Sequence, residues 1–386
     1  MQTTRAIIHL EHLRQNINEA RKLTGTHRKI CFAVKADAYG HGAVPVSLCA
    51  LEAGADYLSV ARVQEAAELR ANGITAPILV LAQAEVEELD EIVALDLIPF
   101  VSDAEFIEEA ERVALRAGKK LTVHLKVDTG MGRAGCAPEE ALSLAAKIAS
   151  SEELLLGGIA THLSVSDSLA PDDVAYTKEQ LRKFREVSAS VKNAGIDPGI
   201  VHAANSGALV FHEDSYFDMV RPGIFLYGYL PPDCKTSSRV NGWPQVKPLM
   251  ELQTKVALIK KVKKGAAISY GRTWIAPEDT FIGVIPAGYA DGFSRALSNN
   301  HSVCIGGKSY PLAGRICMDQ SMVNLGPQTE VKRWDKAVIF GPDFFTAADI
   351  AEKLNTIPYE ITCGINKRVT REYVDVSAVQ RQTAVF

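Results

Sequence analysis

CFAVKADAYGHG, residues Cys31 to Gly42, is the stretch from which the fold can be worked out. Its first four residues, Cys31 to Val34, are apolar and favour a buried strand, and they lead directly into Lys35. Small and polar residues with two glycines follow, so the strand ends at the lysine. An ammonium group at the end of an apolar strand loses solvation, which favours the free amine as a nucleophile or a base. The alternative is that Lys35 extends from the strand end into water.

Short apolar runs recur along the first two-thirds of the chain, with helical patterns between them. These runs are continuous rather than alternating, which is typical of parallel strands buried on both faces. Eight such strand–helix units in this length indicate a closed (β/α)8 barrel, an α/β fold. The predicted strands lie near residues 30–35, 56–60, 77–82, 97–101, 121–127, 157–162, 200–204 and 218–221.

Two of the intervening helices carry end signals. Ser102 and Glu105 have the spacing of a capping box, and Gly118 would end the helix that follows. The segment from Pro171 to Lys192 places apolar residues on one stripe, which predicts a long amphipathic helix. We interpret both helices as core packing.

Barrels of this type carry their chemistry at the C-terminal ends of the strands. The residues expected there are polar, which a packed core would not require. In chain order they are Lys35, Lys126, His162, Asn205, Ser206 and Arg221. We therefore expect the functional site at this end of the barrel.

Two loops late in the barrel have the composition of a phosphate site. They read NSGAL, Asn205 to Leu209, and RPGIF, Arg221 to Phe225. The loops after the last two strands of such barrels often bind phosphate, here through the hydroxyl of Ser206 and the backbone N–H groups of Gly223 and Ile224. Each loop alone could equally be an ordinary strand-to-helix turn.

The sequence changes character near Pro231. A second proline and the polar run KTSSRVNGW predict a linker, and period-2 alternation, typical of antiparallel strands, follows. Gly306 and Gly307 predict a hairpin turn, and one helix is predicted near Ala347 to Leu354. We therefore predict a barrel over residues 1–232, whose first few residues could join the second domain, and a mostly antiparallel β domain over residues 233–386.

The composition limits the classes of function. Of the 386 residues, 47% are hydrophobic and 23% are charged, and the net charge of −4 argues against a nucleic-acid partner. Seven scattered cysteines without a C-x-x-C pair indicate neither a disulfide framework nor a zinc site, and we expect no metal. The N-terminus lacks the apolar core of a signal peptide, and no stretch approaches membrane-spanning length. We expect a cytoplasmic protein without a membrane partner.

Several motifs match those of one family. AVKADAYGHG resembles the pyridoxal-phosphate attachment site of alanine racemases, and HLKVDTGMGR and the two late barrel loops match the same family. In the last third, SYGRTW, AGYADG, GRICMDQ and IPYEITCGI resemble the C-terminal domain of alanine racemases. The resemblance extends from Ile7 to Tyr373.

The resemblance implies a role for each matching residue of the barrel. Lys35 would hold the aldehyde of the cofactor, pyridoxal 5'-phosphate. Arg221 would face the pyridine nitrogen, and an arginine there leaves that nitrogen unprotonated, which would suppress transamination. The residues implied to bind the phosphate, or to lie beside it, are Tyr39, Asn205, Ser206, Gly223, Ile224 and Tyr359.

Further roles follow from the same resemblance. Arg133 would contact the ring oxygen and the substrate, and His162 would bridge toward Arg221. Met318 and Asp319 would border the substrate, with Tyr289 at its entrance. Lys126 matches a residue that is often carbamylated in the family, where it orients the residue matching Arg133; the alternative is a plain lysine paired to an acid or to solvent.

The implied activity is the interconversion of L-alanine and D-alanine, with D-alanine supplying cell-wall peptidoglycan. Lys35 and Tyr270 would be the two acid–base residues, on opposite faces of the substrate. In the family, Tyr270, Met318 and Asp319 reach the partner subunit's cofactor, so the resemblance implies a homodimer with shared sites.

Three other interpretations stay open. A serine or broad-specificity amino acid racemase could differ by few residues. A basic amino acid decarboxylase shares the strand-end lysine, but its glycine-rich phosphate loop and catalytic cysteine are not evident here. A non-catalytic pyridoxal-phosphate carrier would not need the second domain.

Overall fold

The chain forms two compact units, which we describe separately. The computed structural model describes residues 3–236 and 242–375. The barrel unit comprises Leu13–Ala38 and Ala43–Val246, and the β unit comprises Met1–His12, Tyr39–Gly42 and Lys247–Phe386. The chain thus passes to the β unit between Val246 and Lys247, whereas the predicted boundary lies between residues 232 and 233. Residues 237–241 of the predicted linker lie outside the described residues.

Eight parallel strands close into a barrel in the first unit, as the continuous apolar runs predict. The strand order follows the chain, and the last strand pairs with the first through Met219 and Lys29. Each strand overlaps its predicted range. After β1 (Arg5–His9), which belongs to the β unit, the barrel strands are β2 (Lys29–Ala33), β3 (Tyr57–Val60), β4 (Ile78–Val80), β5 (Ile98–Val101), β6 (Leu121–Lys126), β7 (Leu154–Ala160), β8 (Ile200–His202) and β9 (Met219–Val220).

Helices alternate with these strands. The predicted cap of one helix is wrong by a residue, because the carboxylate of Asp103 accepts the N–H of Phe106 while the Ser102 hydroxyl donates to Gln83. Gly118 ends that helix in the left-handed conformation, as predicted. The helices are α1 (Leu10–Thr24), α2 (Lys35–Gly40), α3 (Ala43–Glu52), α4 (Val63–Ala71), α5 (Leu89–Ala94), α6 (Ala104–Ala117), α7 (Ala141–Ser150), α8 (Pro171–Asn193), α9 (Ser206–Phe211) and α10 (Asp233–Thr236).

Helix α2 is a left-handed turn made of ordinary L-residues. The four residues from Ala36 to Tyr39 have φ between 51° and 53°, and Gly40 has φ 80°. The N–H of Ala38 donates to the carbonyl of Val34 at 2.9 Å. A left-handed turn costs about 1–2 kcal/mol per non-glycine residue, so contacts outside the turn must hold it.

The described residues of the β unit form three sheets and two α-helices. The largest sheet has the order β16-β15-β18-β10-β1-β19, and it is antiparallel except for the parallel pair β1 and β19. The other sheets have the orders β11-β14-β17 and β12-β13. The remaining elements are β10 (Met250–Lys255), β11 (Leu258–Val262), β12 (Ala267–Ile268), β13 (Trp274–Ile275), β14 (Thr280–Ile285), β15 (Ser302–Ile305), β16 (Lys308–Pro311), β17 (Ser321–Gly326), β18 (Lys336–Phe340), α11 (Ala347–Leu354), α12 (Pro358–Cys363) and β19 (Thr370–Val374).

The β unit confirms the predicted hairpin and the predicted helix but adds one element. Gly306 and Gly307 connect β15 to β16, and α11 spans the predicted residues. Helix α12, which opens with Pro358, was not predicted. In the described parts of both units, no helix has the length and apolar character needed to cross a membrane.

Candidate active site

Lys35 follows the C-terminal end of β2, where the left-handed turn begins. The carboxylate of Glu65 holds this start: Oε1 accepts the N–H of Ala36 at 2.6 Å, and Oε2 accepts the N–H groups of Ala61 and Arg62 at 2.8 and 3.1 Å. One side chain thereby ties the segments that follow β2 and β3. The backbone that carries Lys35 is fixed by this bridge.

Arg221 follows β9 and lies inside the barrel, with only 7% of its surface exposed. Its guanidinium donates to His202 Nδ1 at 2.9 Å and to the carbonyls of Thr161 and Ala203 at 2.7 and 3.2 Å. His162 Nδ1 lies 3.4 Å from the same guanidinium. All four acceptors are neutral, so Arg221 is a buried cation that these contacts orient without cancelling its charge.

Positive charge and burial dominate the electrostatics at this end of the barrel. Burial lowers the pKa of Arg221 to about 10. The pKa of Lys126 is lowered to about 7, first by burial and then by Arg221, with a smaller contribution from Arg133. The pKa of His162 is held well below its usual range by burial and by Arg221, so its imidazole is neutral. An amine that is neutral near pH 7 can act as a nucleophile.

The loop after β6 is organised by Asp128. Oδ1 accepts the N–H groups of Gly130, Met131 and Gly132 at 2.9, 2.7 and 3.1 Å, and Oδ2 accepts the N–H of Arg133 at 3.0 Å. These bonds offset the effect of burial and lower the pKa of the Asp128 carboxyl. A carboxylate enclosed by its own loop fixes the backbone of Arg133, whose side chain is exposed.

The loops after β8 and β9 meet at Ser206. Its hydroxyl oxygen accepts the N–H groups of Gly223 and Phe225 at 2.9 and 3.2 Å, so the hydroxyl proton points elsewhere. Ser206 is also the first residue of α9, and Ile224 lies between the two bonded amides. The hydroxyl proton of Ser206 and the N–H of Ile224, which lies between the two bonded amides, are donors that suit an anion.

Asn205 holds this loop by its side chain. The amide oxygen accepts the N–H of Ala208 and the hydroxyl of Ser166, and the amide nitrogen donates to the carbonyl of Leu163. The loops after β7 and β8 are therefore tied together. Asn205 therefore positions the loop that carries Ser206.

In the β unit, Tyr39 and Tyr359 lie together, with ring centroids 5.3 Å apart. Burial raises the pKa of Tyr39 far above its usual range, with Tyr359 contributing next, so its phenol stays a hydrogen-bond donor. Gly40 follows at a close approach, since a Cβ there would lie 2.2 Å from the carbonyl oxygen of Thr362. The packing fixes Tyr39 against α12.

Tyr270 stands on a strained turn. Ser269 before it has φ 66°, and Gly271 and Arg272 after it have φ 69° and 52°. The Ser269 hydroxyl donates to the carbonyl of Arg315 at 2.6 Å, which helps to hold this conformation. The Tyr270 side chain is 68% exposed in the single chain.

Met318 and Asp319 lie on a neighbouring loop of the β unit. Met318 is 52% exposed, and Asp319 pairs with Arg368 at 2.9 Å. Arg368 also pairs with the buried Asp291 at 2.7 Å, and the N–H groups of Tyr289 and Ala290 donate to the carbonyls of Cys317 and Met318. The Arg368 ion pairs and these backbone bonds therefore connect the predicted substrate residues to the AGYADG motif.

Sequence reasoning missed the residues that hold the predicted ones. They are Glu65, Asp128, Thr161, His202 and Arg368. Thr161 and His202 come from strand ends that are adjacent only in the folded barrel. The sole sequence signal was the polar character of residues 161–162 and 202 beside the predicted strand ends. Among the residues that the structure describes, no cluster of histidine, cysteine or acidic side chains could hold a metal ion.

Comparison with known proteins decides the family. The model of the alanine racemase N-terminal domain matches residues 8–231, and the model of the C-terminal domain matches residues 249–373. The chain belongs to the alanine racemase family. An alanine racemase of Treponema denticola is 48% identical over 97% of this chain and 99% of its own, and that of Treponema pallidum is 43% identical over 97% and 100%.

Solved alanine racemases share the fold as well as the sequence. The structure from Clostridium difficile 630 superposes with a TM-score of 0.90 at 38% identity, and covers 97% of this chain and 96% of its own. The structure from Bacillus anthracis with bound L-Ala-P superposes at 0.87, with 34% identity over 97% and 95%. The resemblance to alanine racemases predicted from the motifs is confirmed.

Proposed function

We propose that this member of the alanine racemase family interconverts L-alanine and D-alanine with pyridoxal 5'-phosphate held by Lys35. The observation that carries the proposal is Arg221, a buried guanidinium whose acceptors are all neutral, on the strand ends that also carry Lys35 and Ser206. Opposite a pyridine nitrogen, such a cation withholds the proton that an acid would provide. The D-alanine would supply cell-wall peptidoglycan.

The chemistry of the donors fits the proposed cofactor. The Ser206 hydroxyl accepts two amides and so keeps its own proton for a phosphate oxygen. On the loop after β9, where barrels of this class bind phosphate, we assign the N–H of Ile224 to the phosphate directly. The N–H of Gly223 donates to Ser206 here and would have to exchange that bond for one to the phosphate. From the β unit we assign Tyr39 and Tyr359 to the same phosphate, as family membership suggests. When bound, pyridoxal phosphate supplies an electron sink that makes the α-hydrogen of an amino acid removable.

The residues of the chain supply the proton transfers in this proposal. Tyr270 Oη takes the α-proton of L-alanine, and Lys35 Nζ returns a proton to the opposite face. With D-alanine the two residues exchange roles. We assign the orientation of the substrate to Arg133, Met318 and Asp319.

We propose that Tyr270 and Met318 act in a partner copy of the chain, within a homodimer. The exposure of both side chains in the single chain, 68% for Tyr270 and 52% for Met318, leaves them accessible to a partner copy, as this arrangement requires. In this proposal each site takes Lys35 from one subunit and Tyr270 from the other.

The function is tested by chiral chromatography of L-alanine incubated with the purified protein, with and without pyridoxal phosphate. We expect D-alanine to accumulate to an equal mixture only with the cofactor. L-serine and other L-amino acids in the same assay distinguish a strict alanine racemase from a broad-specificity one. Carbon dioxide released from basic amino acids, with no inversion of alanine, would replace this proposal by the decarboxylase.

We expect Lys126 to be carbamylated. Its buried amine has a pKa lowered to about 7 and lies under the influence of the cations Arg221 and Arg133. The neutral amine adds to carbon dioxide and releases a proton, and the single negative charge of the carbamate would offset one of the two guanidinium charges. Because only the neutral amine reacts, occupancy should rise as the pH increases through about 7.

The carbamate is measured by 13C NMR of the protein in 13C-bicarbonate. The control is Lys126→Arg, which keeps a cation and cannot form the adduct. A spectrum of the unchanged protein without a carbamate signal above pH 8 would show that Lys126 remains a plain amine.

A further inference from the structure

Two histidines occupy the interior of the barrel, and the proposed reaction uses neither. His124 on β6 and His202 on β8 are 1% and 0% exposed, and His124 Nδ1 lies 2.8 Å from His202 Nε2. Phe100 on β5 lies beside both rings, at 6.4 and 6.0 Å between centroids. Barrel interiors are ordinarily filled by branched apolar side chains. Two imidazoles in this position call for a physical reason.

The two hydrogen bonds that join Arg221 to His202 and His202 to His124 have only one possible direction. A guanidinium has donors and no acceptor, so His202 Nδ1 must accept the bond from Arg221 at 2.9 Å. A doubly protonated His202 would turn an N–H toward the N–H of Arg221, which excludes that form. His202 is therefore neutral, with its proton on Nε2, and this N–H donates to His124 Nδ1. His124 Nδ1 is then unprotonated, so the proton of neutral His124 also lies on Nε2.

The surroundings keep both rings neutral. Burial and Arg221 lower the pKa of His124 to about 3 and hold the pKa of His202 well below its usual range. Neither ring gains a proton in the range where proteins function, so the direction of the two bonds does not change with pH. Arg221 therefore always meets a lone pair on His202.

The neighbouring strand leaves room for His124. Gly157 and Gly158 are consecutive on β7, and a Cβ on Gly158 would lie 2.7 Å from both Nδ1 and Cε1 of His124. A Cβ on Gly157 would lie 2.4 Å from Cγ2 of Thr122 and 3.2 Å from Nε2 of the same ring. The glycine pair thus accommodates an imidazole in a layer where a strand normally contributes a side chain.

We propose that His124 is a positioning residue, which accepts the Nε2 proton of His202 and thereby holds His202 in the tautomer that anchors Arg221. Without that acceptor, the His202 proton loses its partner inside the barrel, and the Nδ1-protonated tautomer becomes competitive. That tautomer presents an N–H to Arg221 and displaces the guanidinium. The inference about tautomers stands on the barrel alone, and its effect on catalysis rests on the proposed function.

Two variants separate the acceptor from the volume of the ring. In His124→Asn the amide oxygen takes the place of Nδ1 and can accept the same proton. In His124→Leu the acceptor is lost while most of the volume remains. We expect the Leu variant to lose about 10-fold or more in kcat with a smaller change in KM, and the Asn variant to keep most of the activity. The Leu variant should also convert more of the bound pyridoxal phosphate to pyridoxamine phosphate. The displaced Arg221 would no longer keep the pyridine nitrogen unprotonated.

The direct measurement is 15N NMR of the full chain labelled at histidine, because imidazole nitrogens with and without a proton differ strongly in chemical shift. For the unchanged protein we expect Nε2 protonated and Nδ1 unprotonated at both residues, and this result needs no variant to fold. In His124→Leu, His202 Nδ1 should become partly protonated, and in His124→Asn it should not.

Two results would overturn the inference: a protonated Nδ1 on either histidine of the unchanged protein, or a Leu variant that matches the Asn variant in tautomer and in kcat. A protein with the expected tautomers, and with their loss in the Leu variant, but without racemisation of alanine would support the positioning role. That result would overturn only the proposed function.

Discussion

Lys35→Ala should abolish racemisation, with a loss of more than about 10⁴-fold, because one change removes both the attachment of the cofactor and an acid–base group. The lysine stands at the end of β2, where Glu65 fixes the backbone beside it. In the unchanged protein, borohydride should fix pyridoxal phosphate on Lys35, and mass spectrometry of peptides locates the adduct. The variant should carry no adduct.

The matched control for this change is Lys29→Ala, at the other end of the same strand. It removes a lysine from β2 and should leave both the adduct and the activity in place. An adduct on another lysine of the unchanged protein, or turnover by Lys35→Ala near that of the control, would contradict the assignment of Lys35.

Tyr270→Phe should lower racemisation by about 10²- to 10⁴-fold, because it removes the only proposed acid–base group on one face of the substrate. The loss in kcat/KM must be equal for L-alanine and D-alanine, since the equilibrium constant of a racemisation is one. Proton transfer on the two faces of the substrate is distinguished by measuring the exchange of the α-hydrogen of each enantiomer in D₂O by NMR. We expect D-alanine still to exchange, with retention, through Lys35, whereas exchange of L-alanine stops.

Tyr310→Phe makes the same change on β16 of the same unit and should alter neither measurement. Mixing the Lys35→Ala and Tyr270→Phe proteins tests the shared site. A heterodimer would hold one site with both residues intact, so random exchange of subunits should restore roughly a quarter of full activity. Exchange of the L-alanine α-proton by Tyr270→Phe at the full rate would contradict the role of Tyr270. A lack of recovered activity after the subunits have exchanged would contradict the shared site.

The barrel could be predicted because most residues of its strands are apolar, although β6 also contains Thr122, His124 and Lys126. In β4, for example, all three residues of Ile78–Val80 are buried, and no polar alternation obscures the strand. The ends of elements were less predictable, as Ser102 and Asp103 show. Either side chain can cap a helix, and the backbone conformation at Asp103, extended with φ −147°, decides between them.

The left-handed turn could not be predicted from its residues. Alanine, aspartate and tyrosine all prefer right-handed backbone, and only Gly40 signals an exception. The turn is held instead by the Glu65 carboxylate and by Asp37, whose side chain accepts the N–H of Ala43 at 2.7 Å. Glu65 is 29 positions away from Ala36, so no local pattern contains the information.

The candidate site was predictable where a residue type is itself the signal, as for Lys35, Ser206 and Arg221. Their supports were not, because a supporting contact depends on register between strands. Arg221 contacts His202 and Thr161 only because β7, β8 and β9 lie side by side in the closed barrel. Family resemblance named the candidate residues, and the structure shows which contacts hold them.

The turn from Ala36 to Tyr39 also bears on how this protein would fail when heated. The left-handed backbone costs about 1–2 kcal/mol at each of these residues. Local unfolding of the turn releases this energy, so it is favoured over unfolding of the strands around it. Relaxation there would free the lysine's backbone while the barrel remained hydrogen-bonded. Inactivation would then precede melting, because the backbone beside the proposed cofactor lysine would relax before the barrel unfolds.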